Sequence, residues 1–142
     1  MNEASNGNAS ASAAGSLKAT TLEASFTVND LAKSMAWYCD VVGFKLEEKH
    51  EWNGKVMGAS LSAGTARIVI GQDDGKKGFD RVKGEACSLY LTTPQNIDEL
   101  AAGIVARGGA IASGPEDTPW GVRLIRLQDP DGFKFAISSP RK

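Results

Sequence analysis

Apolar and polar positions alternate over residues 22–28: Leu22, Ala24, Phe26 and Val28 on one side, Glu23, Ser25 and Thr27 on the other. A period of two predicts a half-buried strand. Asn29 or Asp30 then caps a helix over 31–42, with Leu31, Met35, Tyr38 and Val42 as its buried stripe and Gly43 as its stop. Three extended runs follow, 44–52, 55–62 and 66–71, with Asn53-Gly54 and Ala63-Gly64 as the turns between them. The polar, glycine-rich stretch 73–84 reads as a linker.

The same order then returns. Residues 86–92 predict a strand with Cys87, Leu89 and Leu91 on one face and Ala86, Ser88 and Tyr90 on the other. A helix over 94–107 turns Ile97, Leu100, Ala101, Ile104 and Val105 inward and ends at Gly108-Gly109. Strands over 109–113, 121–128 and 133–138 close the pattern, the last two joined by Asp129-Pro130-Asp131-Gly132. Each half therefore reads βαβββ, and Gly43 and Gly54 find counterparts in Gly109 and Gly121. A ferredoxin-like sandwich would place two strands, not three, after its first helix. The expected fold is α+β: two tandem βαβββ modules over about 21–72 and 85–139.

Composition narrows the chemistry. The 142 residues suit one domain, here 19–142, large enough to fold without disulfide or structural metal. Sixteen basic against 17 acidic residues give no basic field, which argues against nucleic acid as a partner. No apolar run reaches the roughly 18 residues of a membrane span. His50 is the only histidine, so one chain cannot build a multi-histidine metal site, and Cys39 and Cys87 are too far apart in sequence for a CxxC motif. Two cysteines without a secretion signal point to reduced thiols and a cytoplasmic protein. Residues 1–18 are rich in Ala, Ser, Asn and Gly, the composition of a flexible tail.

Two stretches carry a resemblance. FTVNDLAKSMAWYCDVVGFKL (26–46) joins an Asp-Leu helix start to an aromatic pair, Trp37-Tyr38, and then Val42-Gly43-Phe44. WGVRLIRLQDPDGFKFAIS (120–138) is a closing hairpin around Asp-Pro-Asp-Gly. Together they resemble the glyoxalase/bleomycin resistance/dioxygenase (vicinal oxygen chelate) superfamily, most nearly its metal-free, bleomycin-resistance-like branch. The resemblance implies that the two modules form a curved mixed sheet around a cleft, and that the chain is a homodimer. It assigns metal ligands to Glu23, to Val69 (Ile68 if the register slips), to Ala86 or Cys87, and to Ala136. Only Glu23 is an oxygen ligand, and catalytic ions typically take about three protein ligands. No metal or other cofactor is therefore expected, and His50 falls outside the ligand positions.

Strand alternation turns Arg67 and Val69, Ser88 and Tyr90, and Lys134 and Ala136 toward the cleft, and the family register adds Leu124 and Arg126 while leaving Arg123 out. Arg67 and Arg126 either recognise an anionic group on a ligand or are occupied by Glu23. Trp52 and Trp120 stand beside equivalent turns at the cleft rims, placed to stack on a ligand or to pack in a dimer, whereas Trp37 belongs to the helix. The candidate ligand-binding residues are thus Glu23, Arg67, Tyr90, Trp52, Trp120 and Arg126. The expected function is metal-independent binding of a small, anionic or aromatic, organic molecule. The alternative is a metal-dependent lyase, isomerase or dioxygenase with Glu23 as ligand or general base, and a third class is a sequestering module without catalysis.

Overall fold

Phe26 and Val28 are buried while Ser25 and Thr27 are exposed, which fixes the inner face of strand β1 (Ala24–Val28). A computed structural model describes residues 12–141; the first part of the expected tail, 1–11, lies outside them. Helix α1 (Leu31–Ala36) is capped by Asp30, whose carboxylate accepts from the Lys33 amide at 3.1 Å. It widens into a π-helical turn over Trp37–Val42 and stops at Gly43, in the left-handed region at φ 111°. The Gly43 and Phe44 amides both donate to the Tyr38 carbonyl, at 2.9 and 2.8 Å.

Strands β2 (Lys45–Trp52), β3 (Lys55–Ala63) and β4 (Ala66–Gln72) complete a sheet of order β1-β4-β3-β2, in which β1 and β4 are parallel. The second module repeats this with β5 (Ser88–Thr92), α2 (Ile97–Ala106), β6 (Ser113–Asp117), β7 (Val122–Gln128) and β8 (Lys134–Pro140), in order β5-β8-β7-β6. This is the α+β architecture of two βαβββ modules.

One apolar cluster spans both modules. Phe26 stacks on Phe133 with ring centroids 4.2 Å apart, and Tyr38 of the first module meets Phe135 of the second edge-on at 5.7 Å. The buried Tyr38 hydroxyl donates to Asp129 at 2.6 Å. Burial and the adjacent Asp129 push the phenol above its ordinary range; burial likewise raises Asp129, against the pull of the Tyr38 hydroxyl and the Phe133 and Asp131 amides.

The stretch 73–84 forms no helix or strand, but it is tied down rather than loose. Asp73 accepts from the Gly75 amide at 2.9 Å and pairs with Arg81 at 2.8 Å and the buried Lys83 at 3.0 Å. Those contacts hold its carboxyl well below the usual carboxylate range. Lys83 also donates to Asn29 at 2.7 Å, fastening the strap to the first module.

Several boundaries differ from those expected. β1 begins at Ala24, not Leu22, and Leu22 is 95% exposed. β5 begins at Ser88, with Ala86 and Cys87 in a preceding turn. Val105 is 56% exposed, the buried stripe of α2 being Ile97, Ala101 and Ile104. The strand expected over 109–113 is instead β6 at Ser113–Asp117. Its sequence, SGPED, reads as a loop, yet β6 is an edge strand where proline and charge are tolerated. Among the described residues no helix is long and apolar enough to cross a membrane.

Candidate functional site

Each sheet has one face in the shared core and one turned away from it. On the first sheet Ala59, Leu61, Ile68 and Ile70 belong to the core, so Ser60, Ser62, Arg67 and Val69 occupy the opposite, open face. Ser60 pairs across the ladder with Val69, and Val69 with Ser25. On the second sheet Ile125, Leu127, Phe135 and Ile137 face the core. Leu124, Arg126, Ala136 and Tyr90 therefore share the open face, Arg126 and Tyr90 flanking Ala136 in one row. Arg67, Val69, Tyr90 and Ala136 face as alternation assigned them, and Leu124, Arg126 and Arg123 as the family register did: Arg123 is on the helix side, bonded to Asp98 at 2.8 and 2.9 Å and to Asp117 at 3.0 Å.

The open face of the first sheet has a hydroxyl floor. Ser62 donates to Glu47 at 2.6 Å, and Ser60 is 2.8 Å from the His50 Nε2. Both serines are buried. The Ser62 hydroxyl, with Lys45 nearby, lowers the Glu47 carboxyl below its ordinary value. His50 pairs with Gly58, where a Cβ would press on the Ile70 carbonyl oxygen at 3.1 Å and only touch the His50 ring at 3.7 Å. Glu47 and His50 were not among the candidates. The β-bulge between Leu46 and Glu48 shifts the register so that His50, opposite Gly58, turns onto this face, and a bulge leaves no mark in the alternation of β2.

Of the six candidates, Glu23 and Arg67 meet, their charged atoms 3.5 Å apart. This settles the partner of Glu23, since Arg126 pairs instead with Glu116 of β6 at 3.2 Å. Both pairs are half-exposed and leave guanidinium edges open to a ligand. Trp52 ends β2 and Trp120 precedes β7; with Tyr90 they are 72%, 63% and 60% exposed. The six do not line one cavity within a single chain: Tyr90 alone borders a groove of about 1150 Å³ between the modules.

The metal-ligand positions can be tested by register. Ser25 pairs with Val69 as Tyr90 pairs with Ala136. The counterpart of Glu23, two residues before Ser25, is therefore Ser88, not Ala86 or Cys87. A carboxylate held by arginine, two aliphatic side chains and one hydroxyl do not suit a divalent ion. Among the described residues no group of three or more His, Cys, Asp and Glu side chains is arranged to hold a metal.

Residues 20–137 match the family model of the glyoxalase/bleomycin resistance protein/dioxygenase superfamily. The chain belongs to this superfamily. Among solved structures, it is similar to TnmS3, an antibiotic binding protein from Streptomyces sp. CB03234, with 25% identity over 87% of this chain and 97% of that one and a TM-score of 0.68. TioX from Micromonospora sp. ML1 shares 20% identity over 86% and 99% of the two chains, TM-score 0.69. A superfamily member from Sphaerobacter thermophilus DSM 20745 shares 23% over 86% and 98%, TM-score 0.69. No curated protein matches its sequence.

Proposed function

We propose that this superfamily member binds a small organic ligand, aromatic and anionic, on the open faces of its sheets without a metal ion. The observation that carries the reading is the exchange at the ligand positions: Val69, Ser88 and Ala136 accompany Glu23, while Arg67 and Arg126 remain beside them as anion-recognising groups. The buried serines offer hydroxyls to polar substituents, and Tyr90, Trp52 and Trp120 offer rings for stacking. The antibiotic-binding relative at 25% identity supports the class of ligand. A single chain leaves all three aromatic residues largely uncovered, which favours a homodimer in which a second copy contributes to the site.

Tryptophan fluorescence tests the reading. Aromatic carboxylates and aromatic antibiotics titrated against the protein should quench emission saturably, and Trp120→Ala and Arg126→Ala should each weaken binding about tenfold, the worth of one charge-assisted contact. Affinity unchanged by both substitutions sinks the assignment. A stoichiometric divalent metal in protein purified without chelator, lost in Glu23→Ala, would instead favour the metal-dependent lyase, isomerase or dioxygenase.

A further inference from the structure

The two helices cover their sheets unequally. Helix α2 reaches β6, β7 and β8, whereas α1 packs chiefly on β3 and β4. Leu46 of β2 and Val56 of β3, on the helix side of the first sheet, are left only partly buried. The gap between them and α1 is a groove of about 710 Å³, on the opposite side of the sheet from the serine floor. That volume falls within the roughly 300–1,000 Å³ typical of small-molecule sites.

The helical wall keeps the groove open because Ala32 and Ala36 are small, and Met35 between them supplies a flexible apolar surface. Its border is charged. Asp30 and Asp40 stand on the helical side and Lys49 on β2. Among the described residues none of these three takes part in an ion pair. Two carboxylates against one ammonium leave a net negative border around an apolar floor, which complements a single positive charge on an apolar chain.

We propose that this groove is a second ligand site, specific for cationic amphiphiles, its net negative border drawing the ammonium while Met35, Leu46 and Val56 take the hydrocarbon. It is separate from the open-face site and independent of that reading.

Cys39 lines the same groove and reports occupancy. In the full chain carrying Cys87→Ser, n-octylammonium should slow modification of Cys39 by a thiol reagent at least fivefold at saturation. It should also shift the amide resonances of Ala32, Leu46 and Val56. Ala36→Phe fills the groove at an exposed helical position, so the fold, checked by circular dichroism, is kept while those shifts disappear. The proposal is overturned by absence of protection and shifts at millimolar amine, or by undiminished binding to Ala36→Phe. Octanoate or 1-octanol binding as tightly as octylammonium overturns the charge preference and with it the proposed specificity.

Discussion

Replacing Tyr38 with phenylalanine removes one oxygen from the contact that joins the two modules. The ring is fully buried and packs edge-on against Phe44 and Phe135, contacts that phenylalanine keeps, so no apolar cavity opens. What is lost is the 2.6 Å bond to Asp129, whose carboxylate retains the Asp131 and Phe133 amides at 2.9 and 2.8 Å. A hydrogen bond to a charged group contributes about 1.5–3 kcal/mol, so the variant should lose about that much at neutral pH, or about 3–12 °C in Tm.

The cost should also depend on pH. Burial raises the Asp129 carboxyl above its ordinary value of 3.8, so the folded state holds this proton more tightly than the unfolded state. Its contribution is fully present below that ordinary value and weakens as pH rises toward the folded pKa. The Tyr38 hydroxyl pulls the folded pKa down; without it the carboxyl rises further and the variant loses more stability over the same increase in pH. In acid, where Asp129 is protonated, only a neutral bond of about 0.5–1.5 kcal/mol is forfeited. Urea unfolding of both proteins at pH 7 and at acid pH measures the difference directly. A loss below about 0.5 kcal/mol at pH 7, or one equal at both pH values, refutes this account of the module junction.

Four further substitutions probe other parts of the fold. Leu61→Ala, at a fully buried core position, should cost about 2–5 kcal/mol in urea unfolding, whereas Leu22→Ala, before β1, should change stability by less than about 0.5 kcal/mol. Gly109→Ala would bring a Cβ within 2.5 Å of Val41 and 2.6 Å of Ile104, so a loss of about 1–3 kcal/mol is expected, and wild-type stability would contradict the close approach there. Lys83→Met should lower Tm by removing the buried partner of Asp73. Because Asp73 is held below the usual carboxylate range, the stability it contributes is present above its ordinary pKa and lost as pH falls; the Lys83→Met deficit should shrink in acid, and a pH-independent deficit would argue against the ion pair.

The parts of this molecule legible in its sequence are those governed by short-range pattern. Alternation in β1, β4 and β8 identified the core and open faces, while the opposite directions of Arg123 and Arg126 in β7, which carries an arginine on each face, came from the family register. Asn53-Gly54 and Asp129-Pro130-Asp131-Gly132 marked their turns. The features that escaped depend on partners distant in sequence or on irregular pairing. β6 pairs on one side only and needs no apolar alternation. Glu116 became the partner of Arg126 only once β6 was placed beside β7. His50 reaches Ser60 only because a bulge shifts the register of β2. The strap over 73–84 looks like a linker by composition, but its aspartate and lysine find each other across the loop and fix Asn29 of the first module.

The central claim is that ligand binding on the open faces needs no metal ion. Isothermal titration calorimetry with the tightest ligand from the fluorescence titrations, before and after exhaustive chelation, tests it most directly. Kd values should agree within twofold in both preparations, with Arg126→Ala weakening each equally. Binding abolished by chelation, restored by a divalent cation and absent from Glu23→Ala would contradict it.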